Sequence, residues 1–253
     1  MSDELKVAIT RPEQQGLQLQ QALTEVGIAS ICQPLFTYQL NTTKQLINQQ
    51  IEQFYPDSII FISSAAVEFA NQALPLKYWV NNKHTVIAVG QTTLHALANL
   101  GIQAICPDKH NSEGILALPQ FDHAPLDHKK ILIVRGDGGR EFLAEQLGEK
   151  GAAVSYLESY QRQWLPVLAE QIEAWQEKKV NVIVITSNAL LKRVVDLINI
   201  TDKYWQNTCL WLVVSERIAQ TARQMGLQKV VNTHGANNHS IITTLLKMES
   251  KND

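Results

Sequence analysis

Polar residues that can bind anions follow the apolar runs that predict β-strands in this chain. In an open parallel α/β sheet, ligands bind at the carboxyl ends of the strands, where helix N-termini present free N–H groups. Hydroxyl groups, backbone amides and guanidinium groups at that edge are suited to carboxylates or phosphates. The residues are Thr10, Arg11, Ser63, Ser64, Gly90, Gln91, Thr92, Arg135, Gly136, Gly138, Gly139, Arg140, Thr186, Ser187, Asn188 and Ser215. Helix capping alone explains any single turn, but the whole set, with Arg217 beside it, favours an anion-rich ligand.

The chain lacks the sequence motifs of nucleotide-binding, zinc-binding and serine hydrolase sites. The loop that begins at Gly136 matches neither GxGxxG nor GxxxxGK[ST], and a tight turn explains its glycines equally well. The seven histidines form no HExxH motif and have no cysteine partner at zinc spacing. No GxSxG segment is present, so a serine hydrolase has little support. We therefore expect neither a metal nor a cofactor.

Composition points to a cytoplasmic protein without nucleic-acid or membrane partners. The chain has 253 residues, enough for two small α/β domains, and a formal net charge of -2, which gives no reason to expect a polyanionic partner. No apolar stretch approaches the roughly 18–20 residues of a membrane span. The first residues are acidic and lack the pattern of a secretory signal. The three cysteines are far apart, and we expect them to be reduced.

The elements that carry the polar turns occur twice. Apolar runs alternate with helical patterns, which predicts parallel sheets covered by helices. A spacing of 123 to 125 positions separates Arg11 from Arg135, Ser64 from Ser187, and Gly101 from Gly226. Three strand–helix units therefore recur in the same order, which indicates a duplication. Duplication by itself leaves open whether each half forms its own domain.

Several short motifs, in order along the chain, resemble those of the uroporphyrinogen-III synthases. They are Thr10-Arg11-Pro12, Ser63-Ser64-x-x-Val67, Ala88-Val89-Gly90-x-Thr92-Thr93, Ser112-Glu113-Gly114, Leu132-x-x-Arg135-Gly136-x-Gly138-Gly139-Arg140, Gly151-Ala152-x-Val154 and Tyr160. The segment Leu212–Arg217 is similar to the gammaproteobacterial branch of that family. The resemblance covers essentially the whole chain.

The resemblance implies an α/β fold with two flavodoxin-like domains, each a five-stranded parallel sheet with helices on both faces. Residues 1–34 and 165–253 would form one discontinuous domain, and residues 40–158 the other. Residues 35–39 and 159–164 would form a two-stranded bridge, with the substrate in a cleft between the domains. In this arrangement the first unit of one repeat joins the second and third units of the other.

The resemblance also implies the reaction. The family cyclises hydroxymethylbilane, a linear tetrapyrrole with eight carboxylates, to uroporphyrinogen III in haem and sirohaem biosynthesis. Water is lost, ring D is inverted, and no cofactor takes part. Tyr160 would assist departure of the hydroxyl group as an acid, or else only pack at the bridge. Ser112 would join the polar turns in binding carboxylates. A monomer is the simplest expectation, with transient contact to the upstream bilane-forming enzyme.

Two turns depart from the family's pattern. Thr186-Ser187-Asn188-Ala189 stands where T-S-P-S is common, and Ser215-Glu216-Arg217 stands where G-x-T-T is the counterpart. Glu216 thus brings a carboxylate to a proposed anion site, and either Arg217 neutralises it or the turn points away. The alternative function is a two-domain binding protein or sensor that closes on an anionic small molecule without catalysis. A nucleotide-dependent transferase lacks a phosphate loop.

Overall fold

Strands and helices alternate along most of the chain, as the sequence predicted. The computed structural model describes residues 4–122, 125–138, 141–198 and 203–250. The strands are β1 (Lys6–Ile9), β2 (Ala29–Cys32), β3 (Phe36–Leu40), β4 (Ser58–Phe61), β5 (Thr85–Ala88), β6 (Lys130–Gly136), β7 (Ala153–Trp164), β8 (Val182–Ile185), β9 (Leu210–Val213) and β10 (Val230–Asn232). The helices are α1 (Glu13–Glu25), α2 (Lys44–Phe54), α3 (Ser64–Ala73), α4 (Gln91–Ala98), α5 (Ser112–Leu116), α6 (Pro119–Asp122), α7 (Phe142–Glu149), α8 (Ala169–Glu177), α9 (Asn188–Leu197), α10 (Glu216–Gln224) and α11 (Asn238–Glu249). The α/β class is therefore confirmed.

One compact unit is discontinuous in sequence. It consists of Met1–Thr37 and Gln163–Asp253. Its five-stranded sheet has the order β10-β9-β8-β1-β2, and each neighbouring pair is parallel. Strand β1 lies between β2 and β8, with Val7 opposite Val182. An arrangement of one domain per half does not describe this sheet, because its strands come from both repeats.

The other compact unit is continuous and consists of Tyr38–Arg162. Its sheet has the order β3-β7-β6-β4-β5, also five strands, with parallel pairing from β7 to β5. Strand β6 belongs to the second repeat but pairs with β4 of the first.

The central strands are continuous apolar runs because both of their faces are covered. All four residues of β8 and of β9 are buried, as are those of β4. This is typical of parallel sheets, in which helices cover both sides. In the second unit, Phe61 and Val134 face the core under α3, whereas Ile60 and Ile133 face the core under α7.

Serine caps fix the ends of the loops that leave three strands. Ser63, Ser187 and Ser215 precede α3, α9 and α10, and each hydroxyl oxygen accepts a backbone N–H three residues later. The cap satisfies one of the free N–H groups at a helix N-terminus. In each unit it also holds polar residues at the carboxyl edge of the sheet.

No helix in the described part of the chain is both long and apolar enough to cross a membrane.

Candidate active site

Tyr160 lies at the centre of a compact cluster in the continuous unit. It is half-buried on β7, and its hydroxyl oxygen lies 3.3 Å from the Oγ atom of Ser63, within hydrogen-bond distance. The rings of Tyr38 and Phe69 pack against it with centroid separations of 4.7 Å and 5.6 Å. The ring is thus held from two sides while its hydroxyl lies at the N-terminus of α3.

A single extra residue in β7 directs Tyr160 towards α3. Arg135 of β6 lies opposite Glu158, but the next residue, Gly136, lies opposite Tyr160. Alternate strand residues point to opposite faces, so one inserted residue reverses the face of every residue after it. Tyr156 packs against the core under α7, whereas Tyr160 packs against the core under α3.

Ser159 is the inserted residue, and its side chain stabilises the irregularity. It is fully buried, with its Oγ atom 3.2 Å from the carbonyl oxygen of Ala66 and 3.3 Å from that of Arg135. Its hydroxyl proton is therefore shared between the first turn of α3 and the end of β6. A buried hydroxyl with these acceptors avoids the cost of an unpaired polar group.

Gly136 leaves the space that the Tyr160 ring occupies. A Cβ atom built on Gly136 would lie 2.5 Å from Cε2 and 2.6 Å from Cζ of Tyr160. Both distances are far below van der Waals contact. The first glycine of the predicted loop is therefore required by the close approach of an aromatic ring.

Arg135, which the sequence analysis predicted to bind an anion of the ligand, is bound to two carboxylates of its own unit. Nη1 lies 2.8 Å from Glu141 and Nη2 lies 3.1 Å from Glu158. The guanidinium carbon lies 3.6 Å from the ring centre of Tyr156, whose hydroxyl also donates to Glu141. This arrangement secures the start of α7 to β6 and β7. The sequence did not signal it.

The network shifts the pKa values of Tyr156 and Glu141 in opposite directions. Burial, followed by the hydrogen bond to Glu141, raises the pKa of Tyr156 to about 12. The hydrogen bonds from Tyr156 and Arg135 lower the pKa of Glu141 below its ordinary value. Tyr156 is therefore a neutral phenol whose proton is bound within the network.

The other predicted residues of this unit lie at strand ends or helix starts. Gly90 precedes α4, and Gln91 and Thr92 are exposed in its first turn. Ser112 is the first residue of α5, but the cap is Asn111, whose side chain accepts the N–H of Gly114. Ser64 begins α3, and Gly138 is exposed after β6. Gly139 and Arg140 lie outside the described residues.

His110 is a neighbour that the sequence analysis missed. A Cβ atom on Gly90 would lie 3.1 Å from the Cβ atom of His110, so an exposed imidazole borders the start of α4. The two residues are far apart in the chain, and no motif links them. Tyr38 and Phe69 were missed for the same reason.

In the discontinuous unit, Thr10 and Arg11 are buried and make internal contacts. The Thr10 hydroxyl donates to the carbonyl of Val184, at 2.9 Å. Arg11 donates from Nη1 to the side-chain oxygen of Asn238, at 3.0 Å, and from Nη2 to the carbonyl of Ala236, at 2.6 Å. These bonds connect the end of β1 to β8 and to the turn before α11.

Thr186, Ser187 and Asn188 follow β8 and are half-buried. The Ser187 hydroxyl accepts the N–H of Leu190 at 3.2 Å. The Oδ1 atom of Asn188 is buried and has no hydrogen-bond partner among the described residues. This turn thus combines a cap, a second hydroxyl and a side-chain amide.

Glu216 is neutralised within its own unit, and not by Arg217. Its carboxylate accepts from Arg223 at 3.0 Å and from the side-chain amide of Asn232 at 3.3 Å. The hydrogen bond from Arg223, and then that from Asn232, lowers the pKa of Glu216. Ser215 caps α10 through a long bond of 3.5 Å from the backbone N–H of Ile218. The carboxylate therefore does not stand as an unpaired charge at this turn.

Comparison with known proteins gives one consistent result. A family model described as uroporphyrinogen-III synthase HemD matches residues 18–242. The uroporphyrinogen-III synthase of Escherichia coli (strain K12) is 31% identical over 248 residues, which cover 95% of this chain and 100% of that relative. The uroporphyrinogen-III synthase of Salmonella typhimurium is 31% identical over 250 residues, with the same coverage of 95% and 100%.

Solved structures agree with respect to the fold. The mutant uroporphyrinogen III synthase from the extremely thermophilic bacterium Thermus thermophilus matches with a TM-score of 0.67 and 15% identity, over 98% of this chain and 99% of that one. The uroporphyrinogen-III synthetase from Helicobacter pylori 26695 matches with a TM-score of 0.63 and 13% identity, over 96% and 99%. At such identities the likeness shows the fold alone.

Replacing Gly136 with Ala should displace the Tyr160 ring, because the new methyl group would overlap it. We expect a loss of about 1–3 kcal/mol in the free energy of unfolding. Urea denaturation measures this loss, and near-ultraviolet circular dichroism reports the aromatic cluster. Gly148→Ala is the matched control, since a Cβ atom there has open space inside α7. That change should stabilise the protein by about 0.5–1 kcal/mol. Equal effects of the two variants would contradict the packing described.

Replacing Glu141 with Gln should make stability less dependent on acid. Because the folded protein lowers the pKa of Glu141, the carboxylate contributes stability above the ordinary glutamate value of about 4.3. That contribution is lost as the pH falls through the lower value of the folded state. In urea denaturation the variant should be less stable than the parent near neutral pH, and this difference should shrink as the pH falls below about 4.3. The control is Glu52→Gln, because Glu52 is an exposed residue of α2. A gap between parent and Glu141→Gln that did not change with pH would contradict the network.

Proposed function

The chain belongs to the uroporphyrinogen-III synthase family, and we propose that Tyr160 is the acid of its reaction. The enzymes of this family are cyclising lyases of tetrapyrrole biosynthesis, and this chain is one of them. They convert hydroxymethylbilane to uroporphyrinogen III with loss of water and inversion of ring D. Family membership thus decides between an enzyme and a binding protein or sensor.

The reaction makes two demands on the protein. The terminal hydroxyl must leave as water, which produces an electrophilic azafulvene on the bilane. The last pyrrole must then attack through its substituted carbon to form a spiro intermediate, although an open bilane cyclises unaided to the isomer that lacks the inversion. A proton donor and a means of holding the substrate in one conformation are therefore both needed.

The contact between Tyr160 and Ser63 is the observation that carries our assignment of the acid. A phenol donates a proton without placing a permanent charge among the eight carboxylates of the substrate. Tyr160 is half-buried, and its hydroxyl lies 3.3 Å from a neutral serine at a helix N-terminus. Tyr156, on the same strand, is unsuited to this role, because its hydroxyl is bound to Glu141.

We assign carboxylate binding mainly to neutral donors in the turns of both sheets. Arg135 and Arg11 are engaged in internal contacts, which makes them part of the frame of the turns. Hydroxyl groups, side-chain amides and backbone N–H groups remain available to bind a carboxylate, with Arg140 as a cationic donor. The neutral set comprises Ser64, Gly90, Gln91, Thr92, Ser112, Gly136, Gly138, Gly139, Thr186, Ser187, Asn188 and Ser215.

The domain boundaries and the bridge between the domains belong to the same proposal. We propose flavodoxin-like domains with the boundaries given above and with residues 35–39 and 159–164 as the bridge. The change between units at Thr37 and at Arg162, inside β3 and β7, supports this division. A monomer, transient contact with the bilane-forming enzyme and a cytoplasmic location stay predictions.

The activity and the acid are tested together. The protein is incubated with porphobilinogen and a hydroxymethylbilane-producing enzyme, and the oxidised porphyrin isomers are separated by chromatography. We expect isomer III with the parent protein. With Tyr160→Phe we expect turnover to fall by about tenfold or more, on the scale of general acid catalysis.

The matched control is Tyr156→Phe, which removes a phenol four positions away that faces the other core. It should change turnover by less than about threefold, although it will weaken the Arg135 network. Isomer I alone from the folded parent would refute the activity. Parent-like turnover by Tyr160→Phe would refute only the assignment of the acid.

A further inference from the structure

We propose that Ser63 is a positioning residue for Tyr160. Its hydroxyl donates to the phenol oxygen, which leaves the phenolic proton free to face the substrate and stabilises the phenolate that forms. The inference rests on the proposed role of Tyr160. It gives Ser63 a function beyond capping α3 or binding a carboxylate.

The bonding of Ser63 leaves its proton available for this contact. The Oγ atom accepts the backbone N–H of Ala66 at 3.0 Å, which fixes the atom in place. A serine hydroxyl has one donor and two acceptor positions, and its proton rotates freely about the C–O bond. One acceptor position is therefore used by the helix. The proton can turn to the Tyr160 oxygen, 3.3 Å away.

Packing fixes the orientation of the Tyr160 ring, and Ser63 acts only on its hydroxyl group. Tyr38 and Phe69 hold two sides of the ring, and the missing side chain of Gly136 makes room for it. Ser159, next to Tyr160, also contacts the carbonyl of Ala66 in the first turn of α3. Both oxygens of the pair are thus held against the same helical turn, and only the two hydroxyl protons need to move.

Capping alone does not account for this arrangement. Ser187 and Ser215 cap α9 and α10 in the same way. Within the described part of the chain, neither of them lies within hydrogen-bond distance of a tyrosine hydroxyl. The tyrosine contact is therefore a specific addition at Ser63, and it depends on the extra residue in β7.

The proton balance of the step is simple. The O–H bond of Tyr160 breaks and its proton passes to the substrate's terminal hydroxyl. The C–O bond of the substrate breaks with its electron pair on oxygen, which leaves as water. Tyr160 is then a phenolate, which accepts the Ser63 proton as a hydrogen bond. The proton released when the macrocycle forms its final pyrrole returns to Tyr160, so no other reactant is needed.

The N-terminus of α3 adds to this stabilisation. The helix has ten residues, and Ser63 is its cap. The first N–H groups of a helix carry partial positive charge, which favours an anion placed beside them. A phenolate at Tyr160 would be hydrogen-bonded to Ser63 and would therefore lie next to this turn. The stabilisation arises only as the charge develops, so it should affect kcat more than KM.

The test compares Ser63→Gly and Ser63→Thr in the parent and in Tyr160→Phe. Glycine costs only a few tenths of a kcal/mol at a cap position, so Ser63→Gly removes the hydroxyl with little loss of stability. We expect kcat to fall about tenfold to a hundredfold, the effect of losing a hydrogen bond to a charged group. KM should change by less than about threefold. Ser63→Thr retains both the cap and the hydroxyl and should keep most of the activity.

In the Tyr160→Phe background, Ser63→Gly should lower kcat by less than about twofold, because the group it acts through is gone. Ser63→Asp is the second variant, since it retains a good cap but accepts only. Its kcat at saturating substrate should be at least as low as that of Ser63→Gly. Thr43→Gly removes the cap of α2 without touching the site and should leave kcat unchanged.

Three outcomes would overturn the inference. One is an equal effect of Ser63→Gly in both backgrounds, which would make Ser63 a direct substrate ligand. Another is a change in KM alone. The third is full activity of Ser63→Gly when Tyr160→Phe is impaired, which would leave the role of Tyr160 intact. Normal turnover by Tyr160→Phe would instead refute the assigned acid and the positioning role together.

Discussion

The candidate site depends on the one residue that β7 inserts opposite the end of β6. With regular pairing, Tyr160 would share a face with Tyr156 and Glu158 and would point to the α7 side of the sheet. The insertion turns it to the α3 side, where it contacts the cap hydroxyl of Ser63 and two aromatic rings. Side-chain hydrogen bonds of Ser159 and the absence of a side chain at Gly136 make this conformation possible. A local irregularity thus separates two tyrosines of one strand into different environments.

Arg135, Arg11 and Glu216, at the carboxyl edges of the two sheets, all have partners within their own unit. Arg135 is bound by two glutamates, Arg11 by an amide oxygen and a carbonyl, and Glu216 by Arg223. Such pairs give geometric order more than net binding energy. Neutral dipoles are therefore the groups that meet the solvent at most of the described turns. A substrate that must change shape from a linear chain to a macrocycle is well served by many weak and interchangeable contacts.

Features set by local sequence could be predicted, and features set by tertiary pairing could not. The strand–helix alternation and the serine caps follow from hydrophobic period and N-cap chemistry, which involve only near neighbours. The partners of Arg135 and Glu216 could not be predicted, because several acidic or basic residues are equally close in sequence. The register shift before Gly136 leaves no signal in the composition. The face of the sheet to which Tyr160 points could therefore not be predicted either. The resemblance to a family identified Tyr160, but not the contact that holds it.

The exchange of strands between the repeats affects how the chain can fold. Strand β1 is synthesised first, yet its partner β8 is placed after the whole of Tyr38–Arg162, with Val7 opposite Val182. Closing so long a loop carries an entropic cost, and non-local pairing slows folding. The continuous unit is complete in the nascent chain well before the discontinuous one can be. One edge of β1 must therefore remain unpaired until β8 has been synthesised.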